Sequence, residues 1–127
     1  MQQVPPSEPS FHLGRLAPTV PVSDITRSVA FYAAALGFQK VFENGSPVGF
    51  VILEKDAAEL HLTLKIGHKG SALNLAHLMV DDAAALYAHL EGHQVRIIKA
   101  MRDAEFGLRC FVFADPDGNR IDVGQAL

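Results

Sequence analysis

One order of local patterns, a strand followed by a helix and three more strands, occurs twice along this chain of 127 residues. Each predicted helix has apolar residues at helical spacing, a polar capping residue before it and a glycine at its end. The sequence therefore predicts an α+β fold of two tandem βαβββ units, at about residues 14–66 and 73–125. The residues that bound the helices are Ser23, Asp24 and Gly37 in the first unit and Asp81, Asp82 and Gly92 in the second.

Eight predicted strands account for most of the remaining sequence, and clusters of turn-forming residues separate them. Two such turns, "ENGSP" and "EKDAA", lie between the strands of the first unit. The predicted strands are 16–22, 38–42, 48–53, 59–65, 73–80, 94–98, 108–114 and 119–124.

The segment "AELHLTLK" at 58–65 alternates between polar and apolar residues. Successive side chains of a strand point to opposite faces, so one face is polar and the other consists of leucines. If the polar face meets bulk water, this is an ordinary half-buried strand, whereas a carboxylate and an imidazole facing a cavity would indicate a site. The polar face holds Glu59, His61, Thr63 and Lys65, and the apolar face holds Leu60, Leu62 and Leu64.

The composition suits one globular domain. With 49% hydrophobic residues the chain is long enough for one core and too short for two independent domains. Its formal net charge of −3 argues against nucleic acid and against an anionic membrane surface as partners. Cys110 is the only cysteine, and we find no secretory leader or long apolar span, so we expect no internal disulfide and a cytoplasmic location.

The N-terminal residues differ from the rest of the chain. The stretch "MQQVPPSEPSFH" contains three of the seven prolines and shows no periodicity. We predict that residues 1–13 form a flexible arm, or one that crosses to a partner chain. The folded domain is then 14–127.

Two segments, "VPVSDITRSVAFYAAALGF" and "FGLRCFVFADPDGNRIDV", together resemble the vicinal oxygen chelate superfamily. This group includes glyoxalases, extradiol dioxygenases, fosfomycin-resistance enzymes and bleomycin-resistance proteins, and the resemblance covers about residues 16–125. It implies that 14–127 is one glyoxalase/bleomycin-resistance-like domain, in which two units curl a mixed sheet around a cavity with the helices outside. It also implies a homodimer, because a second chain often completes such a cavity and covers its apolar strand faces.

The resemblance further locates four positions where enzymes of the superfamily hold a metal ion. Glu59 and Asp122 occupy two of them, whereas Ala17 and Leu75 occupy the other two and carry no donor. Two carboxylates without an imidazole suit nickel, zinc or iron poorly, so we expect no cofactor. Weak binding of magnesium or calcium stays open.

A displaced metal site is an alternative. His61 lies two residues after Glu59, and His77 lies two after Leu75, so each imidazole points the same way as the position it follows. Together with a carboxylate they would form the site of a metal-dependent lyase of the glyoxalase type or of a dioxygenase. A single histidine on a strand is more often a packed or pocket-lining side chain.

Further candidates follow from the similarity to fosfomycin-resistance enzymes, in which the residues three and five before "DPDG" face the cavity. These residues are Val112 and Cys110 here, and the two phenylalanines of the same strand would pack on the helix side. Arg102 and Phe106 precede this strand and are placed to reach the cavity mouth. The candidate ligand-binding residues are Glu59, His61, His77, Arg102, Phe106, Cys110, Val112 and Asp122.

Without the metal ligands of the superfamily, the chain most resembles the bleomycin-resistance branch, whose members sequester a drug without chemistry. Apolar surface for an aromatic group and carboxylates for a cationic group are both present. The resemblance therefore implies non-catalytic sequestration of a drug-like or cationic aromatic molecule. The chain has no tryptophan, so a ligand other than bleomycin fits equally well. A structural or regulatory dimer without a ligand is the remaining alternative, and it leaves the polar strand faces unused.

Overall fold

The computed structural model of the protein describes residues 10–127. The predicted α+β class and the two tandem βαβββ units are confirmed. The first unit consists of β1 (Thr19–Val22), α1 (Ile25–Leu36), β2 (Gln39–Asn44), β3 (Phe50–Lys55) and β4 (Ala58–Leu64). The second consists of β5 (Asn74–Met79), α2 (Ala83–Gly92), β6 (Arg96–Asp103), β7 (Leu108–Ala114) and β8 (Arg120–Ala126).

Most of the predicted arm, residues 1–9, lies outside the described chain, and the described part, residues 10–13, is exposed. The arm and the start of the domain at residue 14 therefore stay predictions.

Each unit forms one four-stranded sheet with mixed strand directions. The strand orders are β1-β4-β3-β2 and β5-β8-β7-β6. In both sheets the first strand pairs in parallel with the last strand of the unit, and the other pairs are antiparallel. The sheets are curled and do not close into a barrel.

The helix ends follow the capping residues of the sequence. The Asp24 carboxylate accepts a hydrogen bond from Arg27 N at 2.9 Å and so starts α1. Gly37, at a φ of 78°, ends α1 in the left-handed conformation that glycine adopts without steric cost. Asp82 caps α2 by accepting from Ala85 N at 3.0 Å.

The largest difference between predicted and observed strands is in β6, which continues to Asp103 instead of ending at residue 98. Its register against β7 shifts twice, between Ile97 and Lys99 and between Lys99 and Arg102. Such β-bulges interrupt the alternation of side chains by which a strand is recognised in a sequence, so the predicted strand ends before the observed one.

The buried side chains form one cluster to which both sheets and both helices contribute. The leucine face of β4 belongs to this cluster, since Leu60 and Leu62 are at most 3% exposed. Phe111 and Phe113 of β7 are buried in it as well, and Tyr87 of α2 packs edge-on against Phe111. The apolar faces of β4 and β7 therefore lie on the helix side, as expected, and their other faces are available for a site.

The turn "DPDGN" after β7 is organised around the buried carboxylate of Asp115. Tyr32 Oη donates to it at 2.9 Å, and so does Asn119 Nδ2 at 2.9 Å. The backbone N–H groups of Asp117 and Asn119 also donate to Asp115, both at 2.9 Å. Because Tyr32 belongs to α1, this carboxylate joins the two units.

The same turn makes a second set of contacts with the first unit. The Asp117 carboxylate accepts hydrogen bonds from Ser23 N at 3.0 Å and from Arg27 Nη2 at 2.7 Å. Asn119 Nδ2 donates to the carbonyl of Pro21 in β1 at 2.8 Å. The "DPDGN" segment therefore fixes the second unit against the start of α1 and the end of β1.

These contacts lead to a prediction for Tyr32. Burial, followed by the nearby Asp115 carboxylate, raises the pKa of Tyr32 well above 10.0. The unfolded chain therefore ionises this phenol at lower pH than the folded one, and the resulting stabilisation, complete below about pH 10, is lost as the pH rises towards the folded-state pKa. Tyr32→Phe should lower the free energy of unfolding by about 1–2 kcal/mol at neutral pH. The same substitution should also reduce the loss of this free energy as the pH is raised into the alkaline range.

Urea unfolding at neutral and alkaline pH measures both effects. Tyr87→Phe, which removes the hydroxyl at the matching position of α2, should keep the alkaline decline of the wild type. An identical pH profile for Tyr32→Phe and wild type would contradict the assignment.

Candidate functional site

The polar face of β4 is partly covered, with the side chains of Glu59 and His61 only 20% and 23% exposed. His61 Nε2 donates a hydrogen bond to Glu59 Oε2 at 2.6 Å. Arg15, which precedes β1, brings its Nη1 to 3.2 Å from the other oxygen, Glu59 Oε1. Both carboxylate oxygens of Glu59 therefore have a partner.

A groove lies between the first unit and the second, and we call it the inter-unit groove. It consists of two adjoining cavities, of about 490 and 160 Å³. Glu59 and His77 line the smaller cavity together with Arg15. The apolar walls that both cavities share are formed by Leu36, Phe38, Ala57, Ala58 and Leu78.

A separate cavity of about 150 Å³ lies on the second sheet, and we call it the second-sheet cavity. Its lining brings together five of the candidate residues, from β7, β8, β6 and the turn before β7. They are Arg102, Phe106, Cys110, Val112 and Asp122. Phe106 is 68% exposed, so it lies at the edge of this cavity.

A histidine–carboxylate pair lies between these two places. His77 Nδ1 donates to Asp122 Oδ2, and His77 Nε2 lies 3.0 Å from the sulfur of Met79. A Cβ atom at position 124 would come within 3.2 Å of His77 Cε1, so Gly124 leaves the space that the imidazole occupies. His77 lines the groove and Asp122 lines the second-sheet cavity, so each of the two separate spaces has one member of this pair in its lining.

The eight candidate residues therefore do not line one common cavity. Two of them, Glu59 and His77, lie in the groove, and five lie in the second-sheet cavity. The eighth, His61, lines neither of these two spaces and is hydrogen-bonded to Glu59, which lines the groove.

Sequence reasoning missed an aromatic row on the first sheet. The Phe50 ring packs edge-on against His61 at 5.4 Å between centroids, and Phe42 packs against Phe50 at 6.3 Å. The row depends on the cross-strand register of β2, β3 and β4, which the sequence does not contain. The only signal was the alternation of β3, which places Phe50 and Ile52 on one face.

The residues at the superfamily's metal positions do not fit a metal ion. The side chains of Ala17 and Leu75 carry no donor atom. Glu59 is hydrogen-bonded to His61 and forms an ion pair with Arg15, and Asp122 is hydrogen-bonded to His77. Within residues 10–127 no three His, Cys, Asp or Glu side chains are grouped so that they could hold one. The displaced site is not assembled either, because the two imidazoles bond to different carboxylates.

Comparison with known proteins identifies the family. The sequence model described as "Glyoxalase/Bleomycin resistance protein/Dioxygenase superfamily" matches residues 12–123. The chain belongs to this superfamily. The resemblance found in the sequence is thereby confirmed. Among curated proteins, none matches this superfamily member.

Solved structures of antibiotic-binding proteins share its fold. A bleomycin resistance determinant encoded on the transposon Tn5 is 25% identical, with a TM-score of 0.77 over 90% of this chain and 98% of the other. A bleomycin-binding protein in complex with bleomycin is 26% identical, with a TM-score of 0.76 over 91% and 100%. TnmS3, an antibiotic-binding protein from Streptomyces sp. CB03234, is 25% identical, with a TM-score of 0.74 over 92% and 99%.

Neither helix of this superfamily member, over residues 10–127, is long and apolar enough to cross a membrane.

The metal positions lead to a prediction about turnover. We expect no chelator-sensitive glyoxalase or dioxygenase turnover from protein incubated with nickel, zinc or iron, because Ala17 and Leu75 donate no lone pair. Elemental analysis and activity assays on protein purified without a metal-affinity tag provide the test. Stoichiometric metal, together with turnover that a chelator abolishes, would contradict it.

Proposed function

We propose that this protein binds and sequesters a drug-like organic molecule that carries an aromatic and a cationic group, without converting it chemically. The observation that carries this proposal is the inter-unit groove, which combines apolar walls with acidic side chains. We propose that binding takes place in the cytoplasm, since the single cysteine forms no internal disulfide.

The groove has the size and walls for such a molecule. Its larger cavity, of about 490 Å³, falls within the usual range of small-molecule sites, about 300–1,000 Å³. Phe38 forms a wall of both cavities, and Leu86 of α2 adds to the larger one. Apolar walls of this kind bind an aromatic ring by removing both surfaces from water.

The charges along the groove favour a cation. Asp56, Asp81 and Asp82 line the larger cavity, where the cationic side chain is Lys55. Glu59 lines the smaller cavity. The carboxylates outnumber the cations along this surface, and a charge-assisted hydrogen bond to one of them would orient the bound ligand.

Arg15 competes with a cationic ligand for Glu59. Its guanidinium lies 3.2 Å from Glu59 Oε1 and 3.9 Å from Glu54 Oε1, and its side chain is 47% exposed. Because the Arg15 partner is about half exposed and screened by solvent, a ligand ammonium can take the place of its guanidinium beside the partly covered Glu59 at small cost.

The structural relatives support binding as the function. One was solved in complex with bleomycin, and another is described as an antibiotic-binding protein. Both share about one quarter of their residues with this chain, over nearly the full length of each protein.

We also propose that the binding form is a homodimer. Several apolar side chains on the strands are exposed, and a second copy of the chain would cover them. They are Val41 (53%), Phe42 (50%), Leu75 (37%) and Met79 (51%).

Glu59 provides the first test of the groove. With 1-naphthylmethylamine, an aromatic cation, as the probe, Glu59→Gln should weaken binding by about 1–3 kcal/mol, because a charged acceptor becomes a neutral one. The melting temperature should stay unchanged or rise, since a residue kept for binding often lowers stability. Calorimetric titration and thermal unfolding measure the two effects.

Two further variants sharpen this test. Arg15→Gln should act in the opposite direction and tighten amine binding, because it removes the competing guanidinium. Glu91→Gln, an equal charge change on the exposed side of α2, should leave the affinity unchanged. Equal amine affinities for wild type, Glu59→Gln and Arg15→Gln would refute the proposed binding mode.

The dimer has its own test. Analytical ultracentrifugation at micromolar concentration should give twice the mass of one chain, and Phe42→Glu should lower the association by placing a charge in the covered surface. A wild-type protein that sediments as a monomer at high micromolar concentration would be inconsistent with the homodimer.

A further inference from the structure

Two histidines lie one turn apart at the end of α2, and neither lines the inter-unit groove or the second-sheet cavity. His89 and His93 are four residues apart, so the helix places their side chains on the same face. Their rings are 4.2 Å apart between centroids, with an angle of 41° between the ring planes. Both residues are exposed to solvent. We call them the histidine pair.

Hydrogen bonds determine which nitrogen of each ring carries the proton. His89 Nε2 lies 2.9 Å from the carbonyl oxygen of Ala34 in α1, and His93 Nδ1 lies 2.9 Å from the carbonyl oxygen of His89. A carbonyl oxygen only accepts, so each of these two nitrogens must donate a proton. In a neutral imidazole the other nitrogen then carries a lone pair. His89 Nδ1 and His93 Nε2 can therefore both act as ligands.

Metal-binding histidines in proteins commonly have this arrangement of hydrogen bonds. A histidine ligand usually donates its second ring N–H to a carboxylate or a backbone carbonyl, which orients the ring and makes the ligating nitrogen more basic. Both members of the histidine pair have such a bond to a carbonyl. The rings are thus oriented in advance, and this lowers the entropy lost when they bind an ion.

The distance between the two rings suits one shared ion. Zinc binds histidine nitrogens at about 2.0–2.1 Å, so two nitrogens on one tetrahedral ion are about 3.3 Å apart. Rings with centres 4.2 Å apart can bring one nitrogen each to that separation by rotation of the side chains. Two histidines four residues apart on a helix also supply the zinc ligands of the H-E-x-x-H motif.

A cavity of about 410 Å³ adjoins the histidine pair, and we call it the outer cavity. His93 lines it together with Phe31, Ala34 and Ala35 of α1. The carboxylate of Asp115 also lines it but is already bonded to four donors, so it is not a further ligand. The outer cavity has room for the water molecules that complete the coordination of an ion with two protein ligands.

The electrostatic field at the histidine pair favours a cation. The last carbonyl groups of a helix carry a partial negative charge, and the hydrogen bond from His89 to Ala34 brings the ends of α1 and α2 together. Arg96 lines the outer cavity and opposes this effect. Its side chain is exposed, however, so solvent and salt screen its charge.

We propose that the histidine pair binds one divalent transition-metal ion of the group that prefers imidazole nitrogen, such as zinc, nickel or copper. His89 Nδ1 and His93 Nε2 are the protein ligands, and water occupies the remaining positions. The charge of the ion makes the N–H of His89 a stronger donor, which strengthens its hydrogen bond to Ala34. Because α1 and α2 belong to different units, the ion stabilises the contact between the units.

Calorimetric titration of the tag-free, full-length protein with zinc chloride tests the proposal. The wild type should bind one ion per chain. His89→Gln and His93→Asn should each weaken zinc binding about tenfold or more, because a single imidazole cannot chelate the ion. Each new amide can still donate to the carbonyl that the imidazole contacted, so the native hydrogen bonds are kept. Unchanged zinc affinity in both variants would overturn the proposal.

Thermal unfolding gives a second readout of the same variants. Zinc should raise the melting temperature of the wild type, since the ion binds the folded chain in preference to the unfolded one. The increase should be smaller in His89→Gln and His93→Asn, and a chelator should reverse it. An equal increase in the wild type and both variants would contradict binding at the histidine pair.

Two control variants locate the ion. His12→Gln removes an exposed imidazole that precedes β1, and Glu59→Gln alters one of the superfamily's metal positions. Both should bind zinc as the wild type does. If His12→Gln weakens zinc binding as much as His89→Gln, exposed imidazoles bind the ion independently and the proposal fails. Loss of zinc binding in Glu59→Gln would place the ion on the strands and would also overturn it.

Nitrogen-detected NMR of the imidazole rings identifies the ligands directly. Zinc should shift the signals of His89 Nδ1 and His93 Nε2, the two nitrogens that carry the lone pairs. Larger shifts in the rings of His61 or His77 would assign the ion to other residues and refute the proposal. Binding of 1-naphthylmethylamine should depend on Glu59 and not on the histidine pair, so the groove and the metal site can each fail while the other stands.

Discussion

The buried carboxylate of Asp115 is the contact on which the rest of the structure depends. Removing a carboxylate from water is costly, and the protein compensates with four donors, from Tyr32, Asn119 and the backbone of the "DPDGN" turn. Tyr32 comes from α1, and Asn119 in turn donates to the carbonyl of Pro21. Within residues 10–127 no strand of one sheet pairs with the other, so this network and the shared apolar core, rather than strand pairing, hold the two units and the groove between them in place.

Much of the fold can be predicted from local sequence because the signals are local. The carboxylates of Asp24 and Asp82 cap the two helices, Gly37 ends the first, and the predicted bounds of 108–114 coincide with β7. The alternation of β4 also determines which face is buried. The end of β6 was wrong because two bulges interrupt its alternation, and whether a strand bulges depends on its partner as well as on its own residues.

The site is harder to predict, because it depends on contacts between distant segments. The family resemblance led to residues that do line cavities, such as Glu59 and Asp122, but it did not reveal that these cavities are separate. The ion pair of Glu59 with Arg15 joins two segments that are far apart in sequence. Lys99 and Arg102 lie on one face of β6 because the register of β6 on β7 shifts between them. Their spacing of three residues in the sequence would place them on opposite faces of a regular strand.

The parallel pairing of first and last strands in each sheet also bears on how quickly the protein can fold. Thr19 of β1 pairs with His61 of β4, about 40 residues later, and Asn74 of β5 pairs with Arg120 of β8 at a similar separation. Such distant contacts require closure of a long loop before they stabilise anything, and chains rich in them fold slowly. On the ribosome, β1 has no partner strand until β4 has emerged, so each unit gains its complete sheet only as its last strand is made.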